Sequence, residues 1–255
     1  MAFDAEWLAL REPADHAARD AGLLAQAAKA AGEIPRVLDL ACGTGSTFRA
    51  FAAHLSADAA WRLLDHDRDL LDRAVDNAPD RVEICHFDIA DPEALPLEDV
   101  TLVTTSALLD LVSERWLKAL VARLRARHLP FYAALSYDGR MIWEPRDEED
   151  IRVIDAFNFH QRRDKGFGPA LGPDAVPFAQ ELFEAQGYHV SIARSDWCLS
   201  SGADALKETL TRDIATAADE AGYTATPRWQ ELGSMRALRV GHLDLLALPP
   251  GSRGS

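Results

Sequence analysis

Residues 35–48, Pro-Arg-Val-Leu-Asp-Leu-Ala-Cys-Gly-Thr-Gly-Ser-Thr-Phe, leave this chain little choice of fold. Residues 37–40 form a short, mainly apolar run between Pro35 and a glycine-rich turn, the pattern of a strand buried on both faces of a parallel sheet. Gly43 and Gly45 follow, and then a helix-compatible stretch over 46–55. Strand, glycine turn and helix make the front of a nucleotide-binding βαβ unit, because glycine permits positive φ and lets the backbone approach a ligand. Taken alone, the same residues also suit a plain tight strand-to-helix turn.

The dinucleotide fingerprint G-x-G-x-x-G needs a third glycine for close helix–strand packing. Here that position is Phe48, which argues against a nucleotide-dependent oxidoreductase. An acid, Asp39, stands instead at the strand's carboxyl end. The run Asp39-Leu40-Ala41-Cys42-Gly43-Thr44-Gly45 resembles motif I of the class I S-adenosylmethionine-dependent methyltransferases, with Ala41 where that family usually carries glycine. The resemblance implies that Asp39 and the Ala41, Gly43 and Gly45 loop hold the amino-acid end of the cofactor.

Residues 60–64 read as a second strand ending at Asp65, about 20 residues beyond the glycines, where Rossmann-type folds bind the ribose hydroxyls. His66 follows at the rim of that site, and Asp67 suits the cap of a helix reaching Asn77. Residues 81–87 alternate as a third strand. The resemblance implies that Asp88 accepts from the adenine amino group and that Ile89 lies on the ring. A β-branched fourth strand spans 99–105. The loop after it is the family's cofactor and substrate loop, with Ser106 at the cofactor. Asp110 there is an acid–base catalyst or the cap of an amphipathic helix over 113–127. A fifth strand covers 131–136.

Strands alternating with helices predict an α/β fold with a doubly wound sheet. The resemblance implies seven strands in the order 3-2-1-4-5-7-6, the last antiparallel, with helices on both faces, as one Rossmann-like domain over 1–250. Residues 1–32 are helical with a break near Pro13. They read as a lid that closes on substrate with Trp7 and Arg11, or as an amphipathic helix on the sheet edge. Residues 137–173 interrupt the rhythm as a long insertion, and such insertions are commonly lids or binding loops. Phe157, Asn158, His160, Arg162 and Arg163 fall within it. They suit a small polar substrate, a carboxylate included, with His160 as general base. Alternatively they form a solvated helix pairing with the acids at 147–150, with His160 structural. A helix over 174–187, a strand over 188–195, a second insertion over 200–238 and a final strand over 239–248 complete the fold. Residues 251–255, Gly-Ser-Arg-Gly-Ser, read as a cloning remnant.

The formal net charge of −14 repels phosphate backbones and anionic lipid. The Asn- or Asp-Pro-Pro-aromatic tetrad of enzymes that methylate base amines is also missing after the fourth strand, so neither nucleic acid nor membrane is an expected partner. Three cysteines without a C-x-x-C spacing argue for a reducing compartment and against a zinc site. Cys42 in the glycine turn is a small packing residue rather than a nucleophile. No leader and no ~20-residue apolar run occur, so a cytoplasmic protein without metal ligands is expected. The resemblance implies methyl transfer from S-adenosylmethionine to a small molecule, by a monomer or homodimer. The other class that these motifs admit is a non-catalytic S-adenosylmethionine-binding or regulatory subunit.

Overall fold

The computed structural model describes residues 4–56, 58–76 and 82–251; Asn77, Arg81 and 252–255, named above, lie outside them. Helices α1 (Ala5–Ala18) and α2 (Ala21–Ala30) lead into β1 (Arg36–Leu40), α3 (Ser46–Phe51), β2 (Ala60–Asp65), α4 (Arg68–Ala74), β3 (Val82–His86) and β4 (Leu102–Ser106). After these come α5 (Glu114–Arg127), β5 (Phe131–Glu144), α6 (Asp150–Gln161), α7 (Ala175–Ala185), β6 (His189–Arg194) and β7 (Trp197–Leu199). The last elements are α8 (Asp204–Glu220), α9 (Pro227–Met235) and β8 (Ala237–Leu248).

The strands form one sheet in the order β3-β2-β1-β4-β5-β8-β6, with β7 on the far half of β8. β1 to β5 run parallel, while β8 is antiparallel to β5 and β6. With β8 as the seventh long strand, this is the expected order; β7 is an addition to it. Side chains alternate through the sheet, as a strand's period of two requires. Leu38 and Leu40 face a core built with α5 and α7, and Val37 faces one built with α2, α3 and α4. Helix α5 shows why its sequence folds as it does. Ser113 caps it by accepting from the Trp116 amide, and Trp116, Leu117, Leu120, Val121 and Leu124 are all buried along one stripe. Each such side chain is worth roughly 1.5–3 kcal/mol on burial.

Two expectations are corrected. Helix α1 does not break at Pro13, whose ring is exposed; the chain breaks six residues later, where Asp20 caps α2. The fifth strand does not end at residue 136 but continues to Glu144, paired with β8 throughout and with shifts in register at 133/136 and 137/141. Asp138 stabilises the second irregularity by accepting from the Arg140 amide, and Arg140 also bonds Asp196. Opposite them, a Cβ on Gly241 would collide with the Asp138 carboxylate that Arg140 holds in place.

The long β5–β8 ribbon therefore projects beyond the parallel half of the sheet. There it carries a third core of its own, with Tyr137, Met141, Trp143 and Val240 packed against α6, α8 and α9. A buried ion pair pins this part together: Arg236 bonds Asp150 through two nitrogens at 3.0 and 2.9 Å, and Trp229 Nε1 donates to Asp150 at 2.8 Å. The acids at 147–150 thus pair with Arg228 and Arg236, not with the cations at 162–165. Asp244, fully buried on β8, accepts from the Asp20 and Leu135 amides and the Tyr132 hydroxyl, fastening α2 to the sheet.

Candidate functional site

The carboxyl ends of β1, β2 and β4 lie side by side in the sheet. Asp39 is fully buried, its Oδ1 accepts from Thr104 at 2.8 Å, and its Oδ2 has no partner. Burial pushes its carboxyl up to about 7. Asp65 holds the glycine turn in place: it accepts from the Gly43 amide at 2.8 Å and the Asp67 amide at 3.0 Å. Two alanines, Ala41 at φ +52° after β1 and Ala107 at φ +51° after β4, adopt the left-handed conformation that costs an L-residue about 1–2 kcal/mol. Such strain, at the ends of two neighbouring strands, is of the kind that clusters at functional sites. Phe48, in the place of the dinucleotide motif's third glycine, packs edge-on against Trp61 at 5.2 Å. Cys42 is buried and burial drives its thiol well above the ordinary range, so it is no thiolate nucleophile.

Around these strand ends, His66 is exposed with Nδ1 3.2 Å from Asp65. Asp88 is exposed and accepts from the Ala90 amide, while Ile89 is buried in the core and its carbonyl takes the Trp116 indole proton. Ser106 Oγ accepts from Arg19 at 3.1 Å. Arg19 was not expected from the sequence. It is 7% exposed, reaches Thr47 and Ser106, and leaves Nε and Nη1 without partners. A buried guanidinium with two idle donors beside the glycine turn is costly unless an anion completes it.

Helix α1 lies across the turn. A Cβ on Gly43 would come within 2.9 Å of Leu8 Cδ1, Glu12 takes Arg49 in a two-point ion pair at 2.6 and 2.7 Å, and His16 contacts Ser46. Its other face, with Asp4, Trp7 and Arg11, lines a cavity of about 920 Å³. The cavity begins at Ala107 and Asp110, on the loop that continues from Ser106, and runs along Leu135, Tyr137 and Met141 of β5 and Val240 and His242 of β8 to α6 and α8.

Asp110 is not a helix cap; Ser113 has that role. Its carboxyl is buried with Oδ1 unpartnered, and burial pushes it up to about 6 against the Tyr137 amide, Arg11 and Lys165. Arg11 is committed to Asp15 through Nε and Nη2 and stacks on Trp197 at 4.8 Å, with Nη1 left over. Phe157 and Arg163 line the cavity. His160 lines it too, but both ring nitrogens are engaged: Nε2 with Glu220 at 2.9 Å and Nδ1 with Lys165 at 3.4 Å. That arrangement suits a wall residue rather than a free base. Asn158 and Arg162 are outside the lining. Asn158 is tied to the Tyr137 hydroxyl and the Gly139 carbonyl, and Arg162 to Asp174 and the Asn158 carbonyl. The helical turn explains the split, since Phe157 and His160 share a face that Asn158 and Arg162 do not. His242, also missed, is buried, and burial with Arg11 nearby takes it down to about 3, so its ring is neutral. Among the described residues no group of three or more His, Cys, Asp or Glu side chains is placed to hold a metal, and no helix is long and apolar enough to cross a membrane.

The strand order is that of a class I, Rossmann-like methyltransferase core, and residues 37–129 match the family model described as a methyltransferase domain. Residues 37–129 therefore carry a methyltransferase domain, of a family that uses S-adenosylmethionine. Its fold is similar to that of the YcgJ protein from Bacillus subtilis, at 14% identity and a TM-score of 0.55 over 91% of this chain and 100% of that one. A cyclopropane-fatty-acyl-phospholipid synthase-like protein from Lactobacillus casei is similar at 11% identity and a TM-score of 0.57, over 96% and 94%. An S-adenosylmethionine-dependent methyltransferase from Thiobacillus denitrificans, crystallised with S-adenosylhomocysteine, is similar at 17% identity and a TM-score of 0.50, over 97% and 100%. At such identities the likeness is one of fold. No curated protein matches the chain in sequence.

Proposed function

We propose that this protein methylates a small polar molecule held in the cavity beneath α1. One observation carries the reading: the loop after β4 belongs to both sites, with Ser106 on the cofactor side and Ala107 and Asp110 in the cavity wall. Cofactor and acceptor then meet across five residues.

The residues fit the cofactor. The unpartnered Asp39 oxygen suits an ammonium group, and the idle donors of Arg19 suit a carboxylate, so the two ends of an amino acid are matched by opposite charges. Ala41, Gly43 and Gly45 bring backbone up to it, and Ser106 completes that end. Asp65, with His66 at the rim, takes the ribose; Asp88 and Ile89 take the adenine. When bound, S-adenosylmethionine supplies an electrophilic methyl on a sulfonium sulfur. The protein's share of the work is to orient the acceptor, exclude water and receive a proton. Trp7, Arg11 and Phe157 orient the acceptor, while Arg163, Lys165 and Arg212 at the rim meet a carboxylate on it. Asp110 receives the proton, replacing His160 as the candidate base.

Calorimetric titration with S-adenosylhomocysteine tests the reading. Wild-type protein binds it at micromolar concentration or below. Arg19→Met loses about 10- to 150-fold, the range for a charged hydrogen bond worth 1.5–3 kcal/mol. Asp110→Asn binds it as wild type does but loses about 10²–10⁴ in turnover. Unchanged affinity in the Arg19 variant removes Arg19 from the site, and no binding to the wild type sinks the reading as a whole.

A further inference from the structure

The cavity's inner wall is a run of rings in mutual contact. Trp197 and His242 have centroids 5.0 Å apart, His242 and Tyr137 are 6.3 Å apart, and Tyr137 and Phe157 meet edge-on at 5.6 Å. The Tyr137 hydroxyl is spent on Asn158, and the Trp197 indole proton on Asp15. What Tyr137 and Trp197 offer to a guest is therefore ring surface. In and beside this wall three buried polar atoms have no partner, Asp110 Oδ1, Trp7 Nε1 and His242 Nδ1. The groups facing Asp110 are Arg11 from α1, Lys165 after α6 and Tyr137 on β5.

An aliphatic polar molecule would cover such a wall without stacking on it, whereas offset and edge-to-face ring contacts add about 0.5–1.5 kcal/mol each beyond area burial. The unpartnered carboxylate narrows the choice further. A base of this strength can take the proton of a phenol, which titrates at about 10. It is badly matched to an alkyl hydroxyl, about as weak an acid as water at about 15.7.

We infer that the methyl acceptor is a phenol, its ring against Tyr137, Phe157 and Trp197 and its hydroxyl directed at Asp110 Oδ1. The inference rests on the methyltransferase reading above. The O–H bond breaks with its proton passing to Asp110, and the oxygen's electron pair forms the new O–CH₃ bond. The electron pair of the broken C–S bond leaves with S-adenosylhomocysteine. The products are an aryl methyl ether, S-adenosylhomocysteine and a protonated Asp110 that returns its proton to solvent.

The test compares matched molecules by calorimetry on protein saturated with S-adenosylhomocysteine. Catechol and 4-hydroxybenzoate should bind, and 4-hydroxycyclohexanecarboxylate, which keeps the hydroxyl and carboxylate but loses the aromatic ring, should bind at least about tenfold more weakly. Phe157→Leu should narrow that ratio while leaving affinity for S-adenosylhomocysteine unchanged. With S-adenosylmethionine, wild-type protein should convert a phenol to its methyl ether, and Asp110→Asn should slow this about 10²–10⁴-fold. Equal binding of the saturated analogue, or failure of both phenols to bind beside S-adenosylhomocysteine, overturns the inference and leaves the methyltransferase reading standing. Failure of S-adenosylhomocysteine itself to bind removes both.

Discussion

Replacing Asp39 with asparagine should make the ligand-free protein more stable, and increasingly so as pH rises. The side chain is fully buried, with one oxygen bonded to Thr104 and the other unpartnered. Burial raises its pKa from an ordinary 3.8 to about 7. A carboxyl whose folded pKa lies above its unfolded one favours the fold at low pH. That advantage is lost as pH climbs through the window between the two values. Each pH unit in the window costs the folded state about 1.4 kcal/mol, so the full penalty above pH 7 is roughly 4 kcal/mol, of which about 2–3 kcal/mol accrues between pH 5 and 8. Asparagine keeps the oxygen that Thr104 donates to. Its buried amide adds a cost of about 1–3 kcal/mol that does not vary with pH. Urea unfolding of both proteins at pH 5 and pH 8 isolates the titrating part. The stability gap should move in favour of the variant by about 2–3 kcal/mol between the two pH values. A gap independent of pH would mean that Arg19 already holds Asp39 ionised, and the reasoning from burial would be wrong.

Two further outcomes follow from packing. Asp150→Ala strands the buried Arg236 cation and the Trp229 indole, and should cost about 3–5 kcal/mol in chemical denaturation. Gly43→Ala places a methyl 2.9 Å from Leu8 at φ +54°. It should weaken S-adenosylhomocysteine binding in calorimetry and cost about 1–2 kcal/mol of stability; wild-type behaviour in both assays would show that α1 yields freely at the turn.

The cofactor half is legible in the sequence because its signals are local. Asp39 and Asp65 end buried strands, and a strand end followed by a glycine turn says where their side chains go. The cavity depends on long-range packing. Tyr137-Asp138-Gly139-Arg140 reads as a turn because glycine and aspartate usually make one. Here Gly139 at φ +87° and the Arg140–Asp138 bond build an irregularity that β8 pairs across, and the strand runs on. Arg19, at the end of an alanine-rich helix, looks like a solvated cation that complements the helix dipole. Only the path of α1 over the turn buries it against Thr47 and Ser106. Within α6 the sequence identifies the right neighbourhood, but not which side of the helix faces inward. Phe157 and Arg163 reach the cavity, whereas Asn158 and Arg162 serve the helix itself.

The overrunning β5–β8 ribbon bears on how a protein of this kind changes. Tyr137 opposite His242 and Met141 opposite Val240 put the cavity's wall on the same two strands whose other ends, Phe131 opposite Ala247 and Tyr132 opposite Leu246, lie in the central core. Alignment of the strands is fixed elsewhere, by Gly241 and the Asp138–Arg140–Asp196 contacts. A lineage can therefore exchange one member of a wall pair and alter what it accepts, with the reaction chemistry and the fold inherited intact a few residues away.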